Sequence, residues 1–425
     1  MFEKISHIFH VKDLRNKIFF VLAMMVVFRL IASIPIPGID ADKLESFFSG
    51  NQFFGLMNIF TGGAMSRMSI AMLGLGPFIT ATIIMQLLTM IFPKLKEMYQ
   101  EAGDQGRQKF NQYARIATVP LAIIQSFSFI NLLQKQGVVG NLSSIGMLTN
   151  IIAITASAVF LMWLGELITQ KGIGNGVSLL IFAGIVGRIP LQVGQTLATW
   201  DPSKVASYLL FIAVSLIVIA SVVFITEGQK NIPVSYAKRI RGHRMYGGAS
   251  TFLPLRINQA GVIPIIFAIS FMLLPGMIAT FMSGSSNPSV VNFANNLNNI
   301  FNNQIFYIVV YFGLVVAFTY FYTSVTFDPK NVAENLQKSG GFIPGIRPGQ
   351  NTSQYISYIL NRITLVGAAF LGLIAVLPMI VQSFTGVSTF EFMIGGTSLL
   401  IVVSVVLETM KQINAQLVMR NYESF

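Results

Sequence analysis

Long apolar runs separated by short polar stretches recur along the whole chain. A window of about 19 residues, suited to a hydrocarbon core about 30 Å thick, separates ten runs, five in each half. The predicted spans are Ile18–Ile34, Leu75–Phe92, Ile116–Leu133, Leu148–Ile168, Val177–Leu191, Tyr208–Ile225, Gly261–Met282, Ile305–Val325, Ile363–Phe384 and Thr397–Leu407. The fifth and tenth are short for a bilayer, so we expect polar flanks that line protein to extend them. The pattern predicts an all-α membrane protein with ten transmembrane helices.

A glycine-rich apolar segment carrying Arg67, residues 55–74, leads directly into the second span. It has the character of a helix that stops partway through a membrane. Irregular backbone at membrane depth is tolerated only where it is buried in protein or lines a wet cavity. The segment therefore predicts a path through the bilayer.

Basic residues between the spans are distributed unequally. With a cytoplasmic N-terminus, the outer side holds only Lys43, Lys135, Arg188, Lys204 and Arg67, and the remaining inter-span lysines and arginines fall inside. This asymmetry predicts that both termini are cytoplasmic. Five spans in each half also make the second half enter the membrane from the opposite side. The span count thus predicts two inverted halves, residues 1–200 and 201–425.

Composition narrows the chemistry that the chain can perform. Hydrophobic residues make up 53% and charged residues 10%, and the mean hydropathy is +0.67. The sequence contains no cysteine, and its three histidines lie outside the spans. We therefore predict no metal site, no cofactor and no catalytic residue, since an intramembrane enzyme would need a Ser–His pair, paired aspartates or a metal. The net charge of +12 predicts attraction to anionic lipids.

Six blocks make the sequence recognisable along nearly its whole length. They are FRLIASIPIPGID (28–40), GGAMSRMSI (62–70), MWLGELITQKGIGNGVSLLIFAGI (162–185), NQAGVIPIIFA (258–268), ENLQKSGGFIPGIRPG (334–349) and GGTSLLIVV (395–403). Through them the chain resembles the SecY family, the channel subunits of the bacterial protein translocase. The resemblance implies two pseudo-symmetric halves around a central hourglass pore, a lateral gate between the second and seventh spans, and a short plug helix at about residues 58–69.

The resemblance also implies the functional residues of the membrane part. An aliphatic pore ring falls on Leu75, Ile79, Val177, Ile181, Ile266 and Ile401. The plug includes Asn58, Thr61, Gly62, Gly63 and Arg67, and the lateral gate includes Thr80, Thr82, Gln86 and Asn258. Two ring pairs are four residues apart and so share one helix face. A narrow aliphatic ring blocks ions by dewetting. From the spacing alone, these side chains could equally be core or lipid-facing.

Two basic loops, residues 227–256 and 328–362, are predicted on the cytosolic side. The resemblance assigns to them the docking of the SecA motor ATPase and the ribosome through Arg239, Arg241, Arg244, Arg256, Lys330 and Arg347. The family also implies two small membrane partners, SecE and SecG, and location in the cell inner membrane. A positive-inside bias alone is an alternative explanation for the charge of these loops.

The predicted function is the passage of unfolded secretory polypeptides, with signal sequences entering at the gate and apolar segments leaving sideways into lipid. A secondary transporter for a small solute is the alternative, because inverted repeats and broken helices are equally typical of that class. Transporters usually need an ionisable residue at mid-membrane. Here such residues are few, namely Arg29, Glu166 and Glu408.

Overall fold

A computed structural model describes residues 11–36, 61, 64–65, 68–100, 103–135, 137, 139–140, 143–198, 202, 205–236, 239–241, 244–246, 250–282, 287–385 and 396–423. Fourteen helices and five strands lie within these residues. The helices are α1 (Lys12–Ala32), α2 (Gly76–Ile91), α3 (Pro93–Gln100), α4 (Gly103–Lys135), α5 (Ser144–Lys171), α6 (Gly176–Val186), α7 (Ile189–Ala198), α8 (Val205–Glu227), α9 (Ile263–Met282), α10 (Pro288–Asn302), α11 (Gln304–Thr326), α12 (Pro329–Lys338), α13 (Gln350–Thr385) and α14 (Gly396–Glu423). The strands are β1 (Gln229–Tyr236), β2 (Arg239–Arg241), β3 (Arg244–Tyr246), β4 (Ser250–Arg256) and β5 (Gly341–Phe342).

Each predicted span coincides with a helix, in the order α1, α2, α4, α5, α6, α8, α9, α11, α13 and α14. By length and hydropathy alone, six described helices can cross a membrane. The pair α2 and α3, bent by 117°, makes a seventh, and α6 and the first half of α9 are shorter apolar helices. In α1 the apolar run follows a charged first turn and a half, so the helix is less apolar as a whole.

One span boundary differs from the prediction. The fifth span was expected to reach Leu191, but α6 ends at Val186, and a turn at Gly187 and Arg188 separates it from α7. The tenth span is extended beyond Leu407 by polar residues, as predicted, because α14 continues to Glu423. Helix ends are set by turns and polar extensions, to which a hydropathy window is insensitive.

The largest apolar cluster lies where nine of the ten span helices converge, and it includes Leu164 of α5, Ile265 of α9, Val315 of α11 and Leu371 of α13. Only α4 stays outside this cluster among the described span helices, and it packs against α2 and α5 instead. Large apolar side chains also cover the outside of the bundle, as at Phe224, which is 76% exposed. An apolar core inside an apolar exterior is the arrangement of a membrane protein.

The two basic loops contain strands that the hydropathy pattern did not predict. In a three-stranded sheet of order β4-β1-β5, β1 pairs antiparallel with both neighbours. Ile232 and Val234 of β1 are buried on one face, and Ile232 packs with Leu255, Ile343 and Ile356. The loops therefore form one module, which also includes α12 and the start of α13. We call it the sheet module. The strands β2 and β3 form a separate two-stranded ribbon.

One residue connects this module to the start of α9. The N–H of Ile257 donates to the carbonyl oxygen of Gly228 at 2.9 Å. The Ile257 carbonyl oxygen lies 2.6 Å from where a Cβ on Gly367 would be, and its Cδ1 lies 2.7 Å from a Cβ position on Gly228. Only glycine leaves room for Ile257 on both sides. The ends of α8 and β4 and the middle of α13 meet at this point.

Candidate functional site

Six aliphatic side chains from four helices meet in the central cluster. Leu75, Ile181, Ile266 and Ile401 are buried in it, and Ile79 and Val177 are half-buried and pack against it. Leu75 immediately precedes α2, Ile79 lies in its first turn, and Val177 and Ile181 occupy the first two turns of α6. Ile266 comes from α9 and Ile401 from α14. The structure thus brings together all the residues predicted for the pore ring.

Local sequence explains why the paired positions lie at helix starts. Proline occupies the first turn of α2, where its missing N–H leaves no hydrogen bond unmade. At α6, the Asn175 side chain caps the helix by accepting a hydrogen bond from the Ser178 N–H at 3.2 Å. Both helices are therefore regular from the first ring residue onward, and residues four apart share a face.

The chemistry available to these six side chains is that of a seal. None can coordinate an ion or donate a proton, and four of them have almost no contact with solvent. An aliphatic constriction excludes ions because it offers nothing to replace their hydration shell.

The segment before α2 reaches the same cluster. Ala64 and Ala71 pack in it beside Leu75. The described residues of the predicted plug lie in turns and one isolated bridge, not in a regular helix. Met68 has a φ of 45° and Ser69 pairs with Pro35, and neither fits an α-helix. Asn58, Gly62, Gly63 and Arg67 lie outside the described residues.

Three methionines fix this segment to the rest of the bundle. Met65, Met68 and Met72 are buried in a second cluster with residues of α4 and α5, including Phe129, Ile130, Leu133 and Ile154. Two backbone bonds add to this, because the Ile36 N–H donates to Met68 O at 2.8 Å and the Ile70 N–H donates to Ile34 O at 3.0 Å. We call Met65, Met68 and Met72 with their α4 and α5 neighbours the methionine seat. The sequence analysis missed it, although the 65, 68, 72 spacing was available as a signal.

The predicted gate residues lie on two helices that pack together, α2 and, just before its first turn, α9. The hydroxyls of Thr80 and Thr82 donate within α2, to Gly76 O and Phe78 O, each at 2.9 Å. Asn258 Nδ2 donates to Gly261 O at 3.2 Å. The side-chain oxygens of Gln86 and Asn258 are buried without a hydrogen-bond partner in the described part of the chain. These two amides therefore do not bond to each other through those oxygens.

Charged residues within the spans serve as structural contacts. The Arg29 guanidinium lies directly over the Cα of Gly187, at the C-terminal end of α6, where the helix dipole favours a cation. Arg115 of α4 forms an ion pair with Glu166 of α5. Within the described residues, no group of three His, Cys, Asp or Glu side chains could hold a metal ion. Neither contact lies in the central cluster.

The predicted docking residues are spread over the sheet module. Arg256 is exposed at the end of β4, opposite Gln229, whereas Arg239, Arg241 and Arg244 lie in the ribbon that follows the other end of β1. At about 3.3 Å per residue, the length of β1 separates these two sites by about 23 Å. Lys330 and Arg347 are also exposed, in α12 and in the turn before α13. The structure does not gather all six into one patch.

The arrangement has the fold of solved membrane channels. A structure described as a protein conducting channel has a TM-score of 0.65 and 20% identity, covering 93% of this chain and 91% of that one. Sec61 in the canine ribosome–channel complex has a TM-score of 0.62 and 19% identity over 93% of this chain and 91% of that one. A third, which concerns the plug domain of SecY and its membrane seal, has a TM-score of 0.64, 21% identity and the same coverage. These likenesses define the class: an all-α, multi-pass membrane protein with a channel fold.

Sequence similarity defines the family. The SecY family model matches residues 69–410. The protein translocase subunit SecY of Streptomyces galbus is 44% identical over 448 residues, covering 100% of both chains. That of Corynebacterium glutamicum is 43% identical over 435 residues, covering 97% of each. The chain belongs to the SecY family.

Proposed function

We propose that this chain is the channel-forming subunit of a bacterial protein translocase. It passes unfolded secretory polypeptides across the membrane and releases apolar segments laterally into lipid. One observation carries the proposal: in a chain of the SecY family, six aliphatic side chains from four helices share one buried cluster with residues of the segment that precedes α2. Such a site seals a path and offers no chemistry to bind a solute or cleave a bond.

In the proposed mechanism, the constriction is formed by the six ring residues, namely Leu75, Ile79, Val177, Ile181, Ile266 and Ile401. The cluster is supported by aliphatic packing without hydrogen bonds between its side chains, so it can widen around a passing chain without breaking polar contacts. The plug, about residues 58–69, moves away when the channel opens. Its Ala64 is buried in the same cluster as Leu75, and its Met65 and Met68 are buried in the methionine seat against α4 and α5. This burial supports a role in closure. A related SecY is described as sealed by its plug domain.

A signal sequence opens the gate between α2 and α9. Support comes from the direct packing of these helices and from two amide oxygens, of Gln86 in α2 and of Asn258 shortly before α9, that are buried without partners among the described residues. A buried acceptor without a donor costs about 1–3 kcal/mol, which is recovered when opening admits water or a peptide. Apolar packing thus stabilises the closed gate, and the unpartnered oxygens of Gln86 and Asn258 destabilise it.

The larger organisation follows the same proposal. Residues 1–200 and 201–425 form two inverted halves that hinge around the constriction. Both termini and the sheet module lie in the cytoplasm, and the protein resides in the cell inner membrane. The uneven distribution of lysine and arginine supports this orientation.

The proposed partners supply what the chain lacks. SecE and SecG are its small membrane partners, and directional force comes from the SecA motor ATPase or from ribosomal synthesis. The exposed Arg256, Lys330 and Arg347 support docking on the sheet module. A solved relative in fold is Sec61 in a ribosome–channel complex. Anionic lipids are attracted by the net charge of +12. No cofactor takes part.

The test is uptake of a signal-bearing precursor into vesicles that contain this chain, its small partners and the motor ATPase. We expect the precursor to become protected from protease only with ATP and only with its signal sequence. A precursor without its signal is the matched control. If a folded, motor-bound complex protected nothing, the proposal would be wrong, and small solutes would be screened as transporter substrates.

A further inference from the structure

The helix α10 presents three distinct sides, although it connects two spans and belongs to none. Ala294 is fully buried, and Phe301 packs against the central cluster and against the edge of Phe306, with ring centroids 5.4 Å apart. The exposed positions on the opposite side are polar after the first turn, and all four are asparagines, namely Asn292, Asn295, Asn296 and Asn299. Between these sides lies an apolar flank, where Phe293 is 55% and Ile300 is 48% exposed.

The apolar flank follows helical periodicity. At about 100° per residue, Val290, Phe293, Leu297 and Ile300 fall within an arc of about 80°. Phe293 and Ile300 are neighbours in this arc, and both are exposed. Fifteen residues extend only about 22 Å, so a helix with four exposed asparagines is too short and too polar to cross the bilayer.

Charge is absent from this entire part of the chain. No Asp, Glu, Lys, Arg or His occurs between Arg256 and Asp328, which includes α9, α10 and α11. An ordinary surface helix carries charges on its solvent side. Asparagine, in contrast, can hydrogen-bond headgroups and interfacial water without the penalty of placing an ion near hydrocarbon.

The exposed flank continues into a surface that faces lipid. Immediately after α10, Ile305 is 75% and Val309 is 63% exposed at the start of the spanning helix α11. Since Phe301 of α10 contacts Phe306 of α11, the exposed flank lies near these lipid-facing residues, at the end of α9 and α11 away from the sheet module.

We propose that α10 is an interfacial helix that lies flat in the headgroup region on the side opposite to the sheet module. Phe293 and Ile300 insert toward the acyl chains, and the asparagine side faces water. The occupant of the apolar flank is phospholipid, bound through apolar area and without charge recognition. A translocating polypeptide is the competing occupant, and it would cover the flank only part of the time. The inference needs only the membrane orientation of α11 and does not rest on the proposed function.

The test exploits the absence of cysteine from the sequence. Phe293→Cys and Ile300→Cys are each labelled with an environment-sensitive fluorophore, and Asn295→Cys, on the opposite side of the helix, is the matched control. The full chain is reconstituted in phosphatidylcholine vesicles without a precursor, with iodide on both sides of the membrane as the aqueous quencher. Nitroxide-labelled phosphatidylcholine is the lipid quencher.

We expect labels at 293 and 300 to be quenched by nitroxide lipid about twofold more strongly than a label at 295, with the order reversed for iodide. Replacing half of the lipid with an anionic species should leave these ratios unchanged. Equal iodide quenching at all three positions would overturn the proposal. Protection of 293 and 300 from both quenchers would overturn it in favour of a covering protein. Two flank positions, and monodisperse elution of each variant, keep a misfolded variant from deciding the result.

Discussion

Single side chains determine how the spans tolerate their few polar groups. Gly187 exists at the end of α6 because the guanidinium of Arg29 occupies the volume of a side chain there. Arg29 could have been taken for the intramembrane charge of a transporter, but its position marks it as a cap on a helix C-terminus. Gln86 and Asn258 are the opposite case, since their side-chain oxygens are buried without donors among the described residues.

The Arg29 contact predicts the effect of one added methyl group. Gly187→Ala should lower the free energy of unfolding by about 1–2 kcal/mol, because the guanidinium must leave the end of α6. Thermal unfolding in detergent, followed by tryptophan fluorescence, measures this. The control is Gly194→Ala in α7, where a Cβ meets nothing within 4 Å. It should be neutral or slightly stabilising. Equal melting temperatures for the two variants would contradict the role given to Arg29.

The unpartnered amide predicts a change in gating. Gln86→Leu should stabilise the closed gate by about 1–2 kcal/mol, because it removes a buried acceptor that only the open state can satisfy. Precursors with graded signal hydrophobicity should then need a more apolar signal for uptake. Thr82→Val is the control, since the Thr82 hydroxyl already donates to Phe78 O inside α2. An unchanged hydrophobicity threshold in Gln86→Leu would remove the amide from the gating mechanism.

Helices and segments act through the clusters they share. The segment before α2 belongs to two clusters at once, the central one through Ala64 and Ala71 and the methionine seat through Met65, Met68 and Met72. Methionine packs adaptably, so a segment held by three of them can leave and return without a unique fit.

The methionine seat predicts leakage when it is loosened. Met72→Ala leaves a cavity and should weaken the seat by about 2–5 kcal/mol. Vesicles containing this variant should leak ions in the absence of any precursor. Met90→Ala, at a side chain that is 67% exposed on α2, should stay tight. An ion-tight Met72→Ala channel would show that the seat does not hold the plug closed.

At the sheet module, we expect docking to be lost without any loss of folding. Arg347→Glu should reduce ATP-dependent uptake about tenfold, equivalent to about 1.4 kcal/mol of lost docking. Its melting temperature should not change, because Arg347 is exposed and its backbone oxygen still accepts the Thr352 hydroxyl. Lys338→Glu makes the same charge change at another exposed position of the module. Normal uptake by Arg347→Glu would refute the assignment, and equal loss in both variants would indicate a general charge effect.

How much the sequence predicted depended on the range of the interaction. All ten spans were found, because apolar runs are a local property. The end of α6 was missed, because it depends on Gly187 meeting Arg29 from another helix. The sheet was missed because β1 buries only Ile232 and Val234, on either side of a proline, and β5 has two residues. Pairing between residues 235 and 342 cannot be read from either segment alone. The six ring residues came from family resemblance, since periodicity cannot distinguish a ring from ordinary core.

The arrangement of all the spans in the membrane predicts which surfaces a reagent can reach. In intact cells, an impermeant maleimide should label Asn296→Cys and leave Lys338→Cys unlabelled until the membrane is opened. With a cytoplasmic N-terminus, seven spans precede α10 and place it outside, and eight precede α12 and place it in the cytoplasm. Both positions are exposed, so access alone decides the labelling. Labelling of the two positions in the reverse order would invert the proposed topology.

The position of Ile257 between Gly228 and Gly367 gives the bundle a fulcrum. On one side of it lies the sheet module, which extends as a short, stiff lever arm because β1 and β4 pair along their whole length. On the other side begins α9, only a few residues away. We expect a torque applied to the sheet to be transmitted to that helix, since Ile257 packs closely on both glycines and its N–H is bonded to Gly228 O. A force applied to the sheet module outside the membrane can thus change the packing between α2 and α9 without any partner entering the bilayer.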